Sequence, residues 1–238
     1  MNVYEGRDEM LAHAMEELKH MRECCGLIVC KGKKQVVVRC QNASTEPYHR
    51  FMISPADFRA AEEQGDIIAC YHSHIDDGAN PSDGDKTMSE AHHLPFIVYS
   101  TSADAWSIYQ PQGWRAALEG RPFFHGILDC YTLVKDYYDI KLGIKLADFY
   151  RPDDWWKTGA NMYLEHSKEQ GFMEVASPLH VHDVLLMHWQ SQVPNHAAVY
   201  VEPGLILHHA PGRISGKSPY GGFYAEQTYG IFRHKSLL

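Results

Sequence analysis

The chain has 238 residues, 45% of them hydrophobic and 22% charged, the profile of one or two globular domains that each bury a core. Its formal net charge of −8 speaks against broad electrostatic attraction to nucleic acid or an anionic membrane surface. No stretch approaches the roughly 18 apolar residues of a membrane span.

From Met1 to Met21 the residues Met10, Leu11, Ala14, Leu18 and Met21 recur at helical spacing. This predicts an amphipathic helix, not a secretory leader, and a protein that folds in the cytoplasm of the cell making it. The six cysteines include no CxxC pair and are expected as thiols. Strands are predicted over Cys24–Cys30 and Gln35–Cys40, joined by a hairpin turn at Lys31-Gly32-Lys33. Ser54-Pro55 opens a helix. Asp66–Tyr71 reads as a buried strand running into His72-Ser-His74. A polar loop follows, then a helix from about Ser82 to His92 and strands over Pro95–Ser100 and Trp106–Tyr109.

Pro and Gly concentrate between Gln110 and Pro122, which predicts a domain break near 118–123. The expected domains are 1–118 and 122–238. In the second, helices are predicted from Cys130 to about Lys141 and over Asn161–Gln170. Strands are predicted over Asp183–Met187, His196–Val201 and Leu205–His209, with a turn at Glu202-Pro203-Gly204. The fold class is α+β.

The strongest chemical signal is His72-Ser-His74, seven residues, Ser82, two residues, Asp85. Residues i and i+2 of a strand share a face, so two imidazoles at its end can reach one metal, and the next helix can bring a carboxylate. Two His and one carboxylate leave a fourth tetrahedral position for water, as in catalytic zinc sites. Zinc lowers that water's pKa to about 7, and a carboxylate must then carry its proton to the leaving amine. Ser82 with Asp85 also reads as a helix capping pair. The spacing resembles the JAMM metallopeptidase motif, which adds an upstream glutamate before a Gly-hydrophobic run. The resemblance implies a mixed-sheet α/β domain holding Zn2+ through His72, His74 and Asp85. Ser82 would hold an oxyanion, and Glu23, in Glu23-Cys-Cys-Gly-Leu-Ile, would be the general base.

Asp129-Cys130 opens a helix, and a helix N-terminus favours a thiolate. A nucleophilic cysteine also needs an imidazole oriented by a third polar group. His196 starts an apolar strand, and the next strand ends in His208-His209. The order resembles the NlpC-type cysteine peptidases, a circularly permuted papain-like α+β family, although Tyr131-Thr132 replaces their usual Ser-Gly after the cysteine. The resemblance implies Cys130 as nucleophile, His196 as base and His208 as orienting residue, with His209 the alternative. No role follows for His180, His182, His188 or Trp155-Trp156.

A JAMM-type half followed by an NlpC-type half resembles the phage tail assembly proteins of the lambda K type, over nearly the whole chain. That implies tail tip proteins and host peptidoglycan as partners, assembly in the host cytoplasm, and a place at the virion tail tip. It also implies cleavage of stem peptides by the Cys130 domain and of an unknown peptide or isopeptide bond by the zinc domain. The alternative is a non-catalytic assembly factor of the tail tip.

Overall fold

A computed structural model describes residues 6–176 and 178–238, and the mixed α+β class holds. Two compact units span residues 1–115 and 116–238. Residues 1–5 of the first amphipathic stretch lie outside the described residues.

The first unit runs α1 (Arg7–Leu18), β1 (Cys25–Lys31), β2 (Lys34–Cys40), α2 (Pro55–Glu62), β3 (Asp66–His74), α3 (Asp83–His92), β4 (Phe96–Ser100) and β5 (Ala105–Tyr109). Gly32 takes φ +66 in the two-residue turn between β1 and β2, a conformation glycine adopts freely. The sheet order is β2-β1-β3-β4-β5. Only the β3–β4 pair is parallel, and α3 supplies its crossover. Alternation divides the core in two. Met10 and Ala14 of α1 pack with Ile28, Ala69, Tyr71, Ile97 and Tyr99 on one face. On the other, Ala61 of α2 and Met88 of α3 pack with Cys25, Leu27, Val29, Cys40, Cys70 and Phe96.

Gly26 sits where β1 lies against Tyr71. A Cβ there would stand 2.4 Å from both the Tyr71 ring and the Val38 carbonyl oxygen. Gly26→Ala is therefore expected to destabilise the first unit by about 1–3 kcal/mol, as overpacking does, read as a lower denaturant midpoint at unchanged slope.

The second unit runs α4 (Cys130–Leu142), α5 (Met162–Glu169), β6 (Phe172–Val175), β7 (Val184–Met187), β8 (His196–Glu202), β9 (Leu205–His208), β10 (Gly216–Pro219), α6 (Phe223–Glu226) and β11 (Thr228–His234). The sheet order is β10-β9-β8-β7-β11-β6, with antiparallel pairing throughout. Leu133, Val134, Tyr137 and Tyr138 of α4 pack on Val184, Leu186, Ala197, Val199 and Leu207. The opposite face buries Leu185, Met187, Ala198 and Ile206. The β8–β9 ladder skips Val201: Glu202 pairs with Leu205, then Tyr200 with Ile206 and Ala198 with His208.

Four elements, β6, β10, α6 and β11, have no counterpart in the sequence expectation. β6 and β10 are the two sheet edges, where short strands need little apolar alternation. β10 carries Gly216 and Pro219, which an edge tolerates and a central strand does not. β11 carries Gly230 just after a shift in its pairing with β7, between Thr228 and Gly230.

Candidate metal centre and candidate thiol site

The β3 strand delivers His72 and His74 to one face, and the Ser82 cap fixes where α3 begins. The Asp85 amide donates to Ser82 Oγ at 3.1 Å, and the Ser82 amide donates to Asp85 Oδ2 at 2.7 Å. This capping box turns the Asp85 carboxylate toward the histidines. His72 Nε2 lies 3.1 Å from His74 Nε2 and 3.2 Å from Asp85 Oδ1. His74 Nε2 lies 3.6 Å from Asp85 Oδ2. Zinc bound at about 2.0–2.1 Å in a tetrahedron sets its ligand atoms roughly 3.3 Å apart, so the donor set fits such an ion. His74 Nδ1 donates to the Gly78 carbonyl at 2.8 Å, leaving Nε2 as a lone-pair donor in the neutral ring, the usual outer support of a metal-bound histidine. Phe51 stacks on His72 at 4.4 Å. Among the described residues, these three form the one cluster of metal-ligating side chains.

Glu23 enters from β1. Cys25 pairs with His72, and the Ser73 amide donates to the Cys24 carbonyl, so continuing the register sets Glu23 opposite His74. Asn42 Nδ2 donates to the Glu23 carbonyl at 3.1 Å and fixes the strand entry. Glu23 is 4% exposed. Burial pushes its carboxyl up to about 8, against the pull of His74. Burial works to lower the His74 pKa but is outweighed by Asp85 and the Gly78 carbonyl, which push it up to about 9. Burial opposes ionisation of Asp85, yet His72, His74 and Ser82 hold it well below the usual carboxylate range. Two imidazole lone pairs and a carboxylate converging on one buried point call for a positive charge. A proton on His74 is one way to supply it and a divalent cation another.

In the second unit Asp129 caps α4, its carboxylate accepting from the Thr132 amide at 2.9 Å. Cys130 follows at the first turn, 5% exposed. Its Sγ lies 3.2 Å from Tyr163 Oη, and the Ala197 amide also favours the thiolate. Burial pushes the thiol up to about 11, with Asp129 adding to the rise. Tyr163 is boxed by Trp155, Tyr131 and Phe149. His196, next to Ala197, stacks on Trp189 at 3.7 Å between ring centroids. His196 Nε2 is 3.2 Å from His208 Nδ1, and His208 Nε2 is 3.0 Å from Ser218 Oγ. The relay is satisfied when each Nε2 carries the proton, which leaves His196 Nδ1 as a base. His209 points the other way, its ring edge-on to Phe123 at 5.1 Å.

Burial, then the His208 and His209 rings, hold His196 well below the ordinary histidine range. Burial lowers His208 and His209 from 6.5 to about 4. The unfolded chain then binds more protons than the folded one between about pH 6.5 and 4. Stability is intact above that window and is lost as pH falls through it. At 1.36 kcal/mol per unit, each ring contributes at most about 3 kcal/mol. The second unit is expected to lose several kcal/mol over this range, read as a falling denaturant midpoint. A midpoint flat across it would contradict buried neutral rings.

Nothing in the sequence alone singles out Arg151, Tyr163 or Trp189. Arg151 is among the largest fully buried side chains, although a lone Arg in sequence reads as surface charge.

A JAB-like unit with a His-His-Asp cluster, followed by a unit with a Cys at a helix start and paired histidines, defines a two-domain class. Residues 5–116 match the prokaryotic homologues of the JAB domain, and residues 120–233 match the NlpC/P60 family. Over 232 residues the chain is 37% identical to tail tip assembly protein K of Escherichia phage N15, covering 97% of this chain and 94% of that protein. It is also 37% identical to tail tip assembly protein K of Escherichia phage lambda, covering 77% of this chain and 90% of that protein. An NLP/P60-family lipoprotein-like structure from Staphylococcus aureus shares 20% identity at a TM-score of 0.37, covering 49% of this chain and 37% of that one. The chain belongs to the family of tail tip assembly protein K. Among the described residues, no helix is long and apolar enough to cross a membrane.

Proposed function

We propose that the protein acts in phage tail tip assembly and carries two peptidase sites, with domains at 1–118 and 122–238. Tail tip proteins and host peptidoglycan are its partners. It is made and assembled in the host cytoplasm and can remain at the virion tail tip. The observation that carries this reading is Cys130 at the start of α4, with the Ala197 amide at its sulfur, and a relay of His196, His208 and Ser218 that begins at the residue before Ala197.

In the second domain Cys130 gives its proton to His196 Nδ1 and attacks a carbonyl carbon of the peptidoglycan stem peptide. The S–C bond forms, the C–N bond breaks, and His196 returns the proton to the leaving amine. Water then hydrolyses the thioester and frees Cys130. His208 holds the His196 ring and its tautomer. His208→Ala is expected to lower turnover by roughly 10^2-fold or more, and His209→Ala to leave the pH–rate profile in place, measured as initial rates of muropeptide release.

In the first domain His72, His74 and Asp85 would hold zinc, which would supply Lewis acidity and a water of pKa about 7. Glu23, held at about 8 by burial, can carry a proton to a leaving amine. The Ser82 hydroxyl accepts from Asp85 and keeps its own proton to donate to an oxyanion. The bond cut there is a peptide or isopeptide bond of an unidentified protein or of the wall.

A second reading is a non-catalytic assembly factor. It is favoured by the burial that holds the Cys130 thiol at about 11. Purified protein incubated with Gram-negative peptidoglycan tests both, comparing wild type, Cys130→Ala and wild type with a zinc chelator. Loss of stem-peptide cleavage in Cys130→Ala alone assigns wall hydrolysis to the second domain. No cleavage by any sample, with Cys130→Ala still supporting infective tails, establishes the assembly factor.

A further inference from the structure

Arg151 has no exposed side-chain surface, and its partners surround the start of α4. Its Nε donates to Asp129 Oδ2 at 2.8 Å and its Nη2 to Asp129 Oδ1 at 3.4 Å. Nη1 donates to Asp148 Oδ1 at 2.9 Å and to the Phe149 carbonyl at 2.7 Å, and Nη2 also donates to the Gly126 carbonyl at 3.1 Å. The Tyr131 and Phe149 rings flank the guanidinium at 4.8 and 5.0 Å. A buried Arg is costly unless its donors are paired, and here the fork meets a carboxylate bidentately.

That carboxylate belongs to the residue before Cys130. As the α4 N-cap it orders the first turn, where the helix dipole favours a thiolate. An anion so close to the sulfur also opposes ionisation of the thiol. The fold thus needs the Asp129 cap and must offset its charge. Among the other groups near the start of α4 and on the neighbouring strands, none offers a cation as permanent as the guanidinium. Tyr163 on α5 offers a neutral hydroxyl. His196 on β8, His208 on β9 and His209 are held neutral by burial. His125 in the preceding loop turns its Nε2 to the Pro152 carbonyl, and Asp148 is itself an anion paired with Arg151 and Lys135.

We propose that Arg151 is a positioning residue for the Cys130 chemistry: it anchors the Asp129 cap and cancels its charge, so that the adjacent thiol can ionise. This rests on the reading of Cys130 as nucleophile, and its test needs no substrate.

The full chain is treated with iodoacetamide, a small uncharged probe, from mildly acid to mildly alkaline pH. Modification of the Cys130 peptide is followed by mass spectrometry. Below the thiol pKa the rate tracks the thiolate fraction. Arg151→Met is expected to slow the reaction about tenfold, the effect of roughly one unit in the thiol pKa. Asp129→Asn, which keeps a competent cap, is expected to speed it, and the double variant to return near wild type. A merely structural Arg151 would loosen the site when removed and speed the reaction in every variant. Arg151→Met reacting at or above the wild-type rate overturns the proposal. Should Arg151→Met not fold, Asp129→Asn decides: a rate that does not rise overturns it. Absent muropeptide cleavage alongside these rate changes would sink the substrate reading and leave this one standing.

Discussion

Cys130→Ala is expected to lower stem-peptide cleavage by roughly 10^4-fold or more, the scale on which removing a nucleophile from a cysteine or serine hydrolase registers. The thiol sits at the N-terminus of α4, with the Ala197 amide and the Tyr163 hydroxyl beside it. No other described cysteine has that setting, since the other five lie in the first unit. His196→Ala is expected to cost a similar factor, because the thiol at about 11 carries little thiolate at neutral pH without a base. Groups acting as one unit are not additive, so the double variant is expected to be no slower than the worse single one. Initial rates of muropeptide release measure this, and losses that multiply in the double variant would contradict a shared step. A zinc chelator is expected to leave all three rates unchanged.

Asp85→Asn is expected to weaken zinc binding by about 100-fold or more, beyond the usual effect of altering an outer partner of a ligand. The Asp85 carboxylate faces both histidines within 3.6 Å and is the one anion of the three ligand side chains. An amide in its place has nearly the same shape, so helical content is expected to hold. Competition with a chelator of known affinity, followed by calorimetry, reads the change directly. Affinity within threefold of wild type would show that the ion is not held by this cluster. Zinc held by this cluster would raise the stability of the native chain by mass action, and that increment is expected to vanish in Asp85→Asn.

The parts legible in the sequence were those whose chemistry is local. His72-Ser-His74 with Ser82 and Asp85 could be read because strand alternation and a capping box both act within a few residues. Asp129-Cys130 could be read for the same reason. Glu23 was reachable through its setting before Gly26, although its pairing opposite His74 depends on the β1–β3 register. Arg151 was not reachable. Its meaning comes from Asp129, 22 residues away, and from two aromatic rings that only folding brings to it. Tyr163 reads in sequence as the core position of α5, and nothing local aims its hydroxyl at the thiol. The sheet edges β6 and β10 leave little trace in the sequence because an edge makes few demands on it.

The unpaired Val201 has a consequence for the relay. In a regular ladder from the turn at Pro203-Gly204, Glu202 opposite Leu205 would set Val201 opposite Ile206 and Ala198 opposite His209. His209 would then share the face of His196, and His208 would turn away. With Val201 bulged out, Ala198 instead meets His208. One extra residue in the backbone therefore selects which of two adjacent, chemically identical side chains joins the relay. The third member is specified by chain length between turn and strand, so that a deletion at position 201 would swap the two histidines without altering either.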